Sequence, residues 1–409
     1  MPIELLAPAG NMEKLVTAFD FGADAAYMGL TSYSLRKNAD NFTSDQLEEV
    51  KRIKERYGRR LYCTMNILFS ESQIRDVENL LPTLKDSPFD AFIISDLGLV
   101  PLFHKYLPDK ELHLSTQASC INSSAARVYH DMGFKRVILG REATLDDIRR
   151  IKDAVPELEL EAFVHGAMCM SYSGRCLLSS FLAGRSGNQG DCSHTCRWNY
   201  RMHYALEEEE RPGVYYPIEE SDGYTTILSS KDLCMIDHLD DLVDAGLSSL
   251  KIEGRMKSIY YIALVTRAYR KALDGDADWR LYRDDLFNVS HREYSTGFFY
   301  GHDAVDVNDI DRPTSYGYRR EYIFLGSVGR QVGDGLWEVD VKNQIRTGTP
   351  IEYIGSDVYR IEDDGFTLVD ADGNPLEKLD HGKVGFLKTD KMLRRGYIIR
   401  SESKVKTIN

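Results

Sequence analysis

The chain lacks several features that would assign its class at once. No stretch of its 409 residues approaches the ~20 consecutive apolar residues of a membrane-spanning helix. The N-terminus, MPIELLAPAGN, carries no basic segment followed by a long apolar one, so a signal peptide is not expected either. Neither H-E-x-x-H nor G-x-S-x-G occurs, which removes two common hydrolase signatures. No G-x-G-x-x-G follows the first strand, where a dinucleotide-binding sheet would place it. Cysteine is sparse, seven in all, and no pair has the tight C-x2-C spacing of a zinc knuckle. A net charge of −13 argues against a partner held mainly through phosphates. The expected location is cytoplasmic, where thiols stay reduced and a disulfide framework has no place.

What is present is ordinary bulk with two concentrations. Hydrophobic residues make up 43% and charged residues 28%, as in soluble globular proteins, and the length calls for more than one core. Basic residues gather near the end: Lys383 to Lys406 holds eight against two acidic. Such a tail is either a grip for a polyanion or a solvated sheet face. Cysteines gather in the middle. Cys169, Cys176, Cys192 and Cys196 lie within one glycine-containing excursion, GAMCMSYSGRCLLSSFLAGRSGNQGDCSHTC.

Short apolar strands alternate with helical patterns through the first two thirds. The strands are expected at 4–8, 24–30, 61–67, 91–96, 111–117, 136–142, 158–166 and 248–254, with a helix over 231–245 before the last and an amphipathic helix from Ser258 to about Leu273 after it. Eight strand–helix units predict an α/β fold: a (β/α)8 TIM-like barrel over 1–275, with a cysteine-rich insertion (167–230) after its seventh strand. A linker, 276–318, contains the turn-rich SHREYSTGFFYG. From 319 to 409 the pattern becomes short alternating strands broken by Gly, Asn and Asp, predicting a small all-β, barrel-like domain.

Barrel active sites sit at the C-terminal ends of the strands. Those ends carry Asn66, Asp96, Gln117, Arg141, Glu142, His165, Lys251, Glu253 and Arg255, with Lys257 close behind. Arg141, Lys251, Arg255 or Lys257 would hold an anionic co-substrate or phosphate, with Asn66, Asp96 and Gln117 completing a polar rim. Glu142, His165 and Glu253 are the candidates for proton transfer.

Thiolates close together require a disulfide or a metal. The spacings Cys169-x6-Cys176 and Cys192-x3-Cys196 suit an iron–sulfur cluster better than zinc, which stays as the alternative along with unligated thiols. Gly174, Gly184, Gly187 and Gly190 would let the backbone wrap close. Cys234 is a possible fifth ligand, whereas Cys63 and Cys120 are expected to be structural.

The segment EAFVHGAMCMSYSGRCLLS (161–179), together with LLAPAGN, ADAAYMGL, GNQGDCSHTCRW, SLKIEGRMKS and SHREYSTGFFYG, resembles the collagenase-like peptidase family U32 over nearly the whole chain. The β-rich tail resembles the C-terminal domain of that family's RNA-modifying branch. The resemblance implies an iron–sulfur-dependent RNA hydroxylase, most similar to the branch that converts the wobble uridine of tRNA to 5-hydroxyuridine with prephenate. It places a 4Fe-4S cluster on Cys169, Cys176, Cys192 and Cys196, and Cys234 outside it. The implied partners are tRNA, a small anionic co-substrate and the iron–sulfur assembly machinery. Two rivals come from other classes. One is a peptidase using Cys169 or Cys176 as nucleophile with His165 as base, the other a non-catalytic RNA-binding module.

Overall fold

A computed structural model describes residues 3–30, 34, 41–169, 171–176, 178–183, 185, 192–197, 199–200, 206–207, 215–216, 220–221, 224–226, 231–301, 321–383 and 385–403. Gly184, Gly187, Gly190, Lys404, Lys406, most of the expected insertion and the later part of the expected linker lie outside the described residues. The chain divides into two compact units: residues 1–19, 23–257 and 292–317 form the first, and 20–22, 258–291 and 318–409 the second.

The first unit is a closed parallel barrel of eight strands. They are β1 (Glu4–Pro8), β2 (Ala25–Gly29), β3 (Arg60–Met65), β4 (Ala91–Ile94), β5 (Glu111–Leu114), β6 (Phe134–Ile138), β7 (Glu159–Ala167) and β8 (Ser249–Ile252). Each pairs with the next, and β8 closes the ring on β1 through Glu4↔Ser249 and Leu6↔Lys251. All eight are the strands expected from the alternating pattern. β2 and β4 are buried along their whole lengths, as parallel strands covered on both faces must be. Intervening helices are amphipathic and locally capped. In α1 (Leu145–Ala154), Leu145, Ile148 and Ile151 face inward, and Thr144 and Asp147 form a reciprocal capping box.

One expected element is corrected. The helix read over 231–245 begins only at Leu239, as α2 (Leu239–Asp244); Asp232–Cys234 is a strand. β7 runs to nine residues, well past its parallel neighbours, and its protruding end needs a backbone partner. Asp232–Cys234 supplies one, antiparallel, pairing Asp232 with Ala167 and Cys234 with His165. Asp232 is itself buried and bonded at 3.1 and 2.6 Å by the Arg292 guanidinium, from the segment expected to be only turn-rich. Tyr294–Ser295 then adds to the outer edge of the same strand. Tertiary pairing outweighed the helical spacing of Leu233, Ile236, Leu239 and Leu242.

The second unit contains α3 (Ile259–Leu273), α4 (Trp279–Asp284) and an antiparallel β-domain. Its eight-stranded sheet is built on β9 (Tyr322–Gly333), β10 (Leu336–Val341) and β11 (Ile398–Glu402). Leu325, Val339, Tyr353, Leu368, Leu387 and Ile399 are among the side chains of its core. α3 is buried on every face from Ile259 to Tyr269, where an amphipathic helix was expected. Inside this unit Arg267 donates to the carbonyls of Gly355, Val358 and Tyr359 at 2.6, 2.9 and 3.1 Å, and to Asp285 at 2.7 Å. Among the described residues no helix is long and apolar enough to cross a membrane.

Candidate functional site

The C-terminal mouth of the barrel opens into a cavity of about 140 Å³. Strand ends and the loops after them supply Tyr27, Thr64, Asn66, Gln117, Arg141, Lys251, Glu253 and Arg255 to its lining. The insertion supplies Cys169, Cys176, Cys192 and Cys196, so all four clustered cysteines face one space. This arrangement follows from β7: its C-terminal end delivers Cys169 to the rim from which the other strand ends emerge.

Beneath the mouth lies a buried charged layer that the sequence reading missed. Glu161 of β7 is fully buried and accepts from Lys251 Nζ and Arg136 Nη1, each at 2.9 Å. Arg136 also donates to Glu4 at 2.6 Å and to Glu159 at 2.8 Å, and Tyr62 donates to Glu4 at 2.5 Å. Burial alone would raise the Glu161 carboxyl, but Lys251 and Arg136 reverse this and bring it to about 2. Burial wins at Lys251, whose ammonium is pulled below its ordinary value despite Glu161. That ammonium lies 4.3 Å from the Tyr27 ring centre and 5.5 Å from that of Phe163. Lys251 is therefore neutralised from below and offers an incoming anion less charge than its position at the strand end suggested.

Two arginines remain to shape the anion chemistry of the cavity. Arg141 stacks over Phe163 at 4.0 Å and lies 3.9 Å from the Glu253 carboxylate. Arg255 is buried and donates to the hydroxyls of Ser34 at 2.5 Å and Thr64 at 3.0 Å. Planar cations held against an aromatic face and hydroxyls suit carboxylate or phosphate oxygens. Aromatic walls at Tyr27, Phe163 and Tyr172 suit a flat or cyclic body.

Not every rim residue points into this space. Asp96 lines no part of it; its carboxylate accepts from the backbone of Gly98 and Phe69, each at 3.0 Å, and so shapes its own loop. Glu142 also stays outside, accepting from the Ser173 amide at 2.8 Å. His165 is buried beside the Tyr294 ring at 5.3 Å, and its carbonyl accepts from the Glu253 amide at 2.9 Å. Lys257 lies off the cavity and adds to the charge that holds buried Asp232 below the usual carboxylate range, behind the larger effect of Arg292. Side-chain direction separates the groups, and sequence spacing does not report it.

The remaining cysteines sort by burial. Cys63 and Cys120 are buried, which pushes their thiols up to about 12 and about 11 and disfavours the thiolate a metal requires. Cys234 does not line the cavity. Whether the cavity suits a metal group rests on its donors, which include the four cysteine sulfurs of its lining. Among the described residues, no three His, Cys, Asp or Glu side chains form a ready-made single-ion site. A lone zinc ion needs its ligands drawn onto one point, whereas a multi-iron cluster spreads four thiolates around a larger body. Four cysteine sulfurs on one cavity are the donor type that an iron–sulfur cluster takes.

Comparison with known proteins agrees with this architecture. Residues 10–309 match the family described as peptidase family U32, and residues 320–400 match its C-terminal domain. The chain is 35% identical over 390 residues to tRNA hydroxylation protein P of Escherichia coli, covering 85% of each chain. It is 34% identical to tRNA hydroxylation protein P1 of Bacillus subtilis, over 96% of this chain and 94% of that one. The 23S rRNA 5-hydroxycytidine C2501 synthase of E. coli is 36% identical over 77% of this chain, which spans 48% of that longer protein. Matched over both its barrel and its β-domain, the chain belongs to peptidase family U32.

Proposed function

We propose that the protein is an RNA hydroxylase that converts the wobble uridine of tRNA to 5-hydroxyuridine, with a 4Fe-4S cluster on Cys169, Cys176, Cys192 and Cys196 and prephenate as the anionic co-substrate. One observation carries the reading: the four cysteines line the same cavity as Arg141 and Arg255. The similarity to two tRNA hydroxylation proteins and one rRNA hydroxycytidine synthase supports RNA as the substrate class. A cluster held by the four cysteines would supply one-electron redox chemistry at the cavity. The chain's own residues do the rest. Arg141 and Arg255 bind the carboxylates of the co-substrate, and Tyr27, Phe163 and Tyr172 pack against its ring. Gln117 and Asn66 offer hydrogen bonds to the edge of a base flipped into the mouth. Glu253, 3.9 Å from Arg141, is the carboxylate placed to take a proton within the cavity. Glu142 and His165 line none of it and act only through the residues they hold.

A peptidase using one of these cysteines with His165 as base has less support, because His165 is buried outside the cavity lining. Anaerobic purification with iron and sulfide analysis, paired with mass spectrometry of tRNA nucleosides, tests the proposal. Cys176→Ala is expected to lose the visible absorbance and the 5-hydroxyuridine together. Modification surviving in the colourless variant would remove the cluster from the chemistry. Stoichiometric zinc in place of iron would replace the cluster with the alternative metal.

A further inference from the structure

The first cysteine arm is fastened to the barrel rim by its own protein contacts. Ser173, between Cys169 and Cys176, is 7% exposed. Its amide donates to Glu142 Oε1 at 2.8 Å, and its hydroxyl lies 3.4 Å from the same oxygen. The Arg141 amide donates to the Ser173 hydroxyl at 3.3 Å. The Ser173 carbonyl accepts from the Ser119 hydroxyl. Ser119 reaches it from a left-handed backbone conformation (φ 55°), which non-glycine residues adopt at a cost. Gly174 is left-handed too (φ 74°), and a Cβ there would lie 2.1 Å from the Gln117 carbonyl oxygen, a backbone atom that cannot turn aside.

We infer that Ser119, Glu142 and Gly174 form a latch that folds the Cys169–Cys176 arm onto the rim before any metal binds. The residues fastened to the arm, Gln117 and Arg141, also line the cavity, so the latch sets the thiols and the polar rim in one geometry. Glu142 is then a positioning residue, and this explains why a carboxylate stands at a strand end yet outside the cavity. The inference rests on the reading of the cavity as the reactive site only for its consequence; the latch itself is made by protein contacts alone.

Amide hydrogen exchange on the metal-free, full-length protein tests it. The Ser173 amide, bonded to Glu142, and the Arg175 amide, bonded to the Tyr172 carbonyl at 3.0 Å, are expected to exchange slowly without metal. Glu142→Ala should speed exchange across 171–176 about tenfold or more, the effect of losing a hydrogen bond to a charged acceptor, and leave β7 unchanged. Glu142→Gln keeps an acceptor oxygen and should stay near wild type. After anaerobic reconstitution, Glu142→Ala should hold less than about half the iron of Glu142→Gln. Unprotected exchange in the wild-type segment, or equal exchange and iron loading in the two variants, would overturn the latch. A wild-type chain with the protected segment but no affinity for iron would instead overturn the cofactor reading and leave the latch standing. Gly174→Ala gives a second route to the same displacement by steric conflict with the Gln117 carbonyl.

Discussion

Glu161 is the residue on which the site's floor depends. With Lys251 and Arg136 each 2.9 Å away and no solvent to screen them, removing its charge leaves two buried cations facing each other. Glu161→Gln should destabilise the first unit by about 3 to 5 kcal/mol, measured by chemical denaturation. The pH dependence follows with a definite sign. The carboxyl is brought from 4.5 to about 2 in the folded state, so its stabilisation is full above 4.5 and is lost as pH falls through 2. The wild-type urea midpoint should therefore be insensitive to Glu161 above pH 4.5 and drop below it, and Glu161→Gln should flatten that part of the profile. No residue-level sequence pattern reveals this layer. Glu161 was legible only as part of a family-like segment, and Arg136 and Tyr62 looked like ordinary strand residues.

Among the elements, α3 shows what spacing can and cannot tell. Its boundaries were visible from the Ser258 cap, whose hydroxyl accepts from the Tyr261 amide at 3.3 Å, and from the apolar residues that follow. Its membership of the second unit was not visible, because it depends on Arg267. That side chain is 2% exposed and satisfies three carbonyls and the Asp285 carboxylate. Arg267→Met, similar in length but without donors, should strand those acceptors and cost about 3 kcal/mol or more. Calorimetry should show the second unit melting earlier, and an unchanged melting temperature would mean that water replaces the arginine at no loss. The Asp232–Cys234 strand carries the same lesson. Helical periodicity was present in its sequence and was overruled by the unpaired end of β7 and by the Arg292–Asp232 pair.

At the scale of the whole molecule, a strongly acidic chain proposed to bind RNA must place its cations locally. The loop Thr389–Gly396 does so: Leu393 is buried in the β-domain core and Thr389 donates to Asp363 at 2.5 Å, while Met392 stands 89% exposed among Lys391, Arg394 and Arg395. Arg394 is paired with Asp357 at 2.7 Å, whereas Lys391 lies at the longer distance of 3.6 Å from Asp390, so Lys391 and Arg395 are the ones to test. The double variant Lys391→Ala, Arg395→Ala should weaken tRNA binding and lower the slope of log affinity against log salt by about two, with iron content unchanged. An unaltered slope would assign the loop to solvent. The sequence by itself determined the barrel, its eight strands and the β-rich second domain, because apolar periodicity is a local property that burial on two faces imposes on every strand. It also grouped four cysteines in one excursion; that all four line one cavity came from the fold. Tertiary structure alone decided which rim residues enter the cavity, which of the strand-end acids is a fastening, and that Lys251 is neutralised by Glu161. These depend on the register between β6, β7 and β8 and on which face each side chain takes, and a shift of a single residue would reverse both.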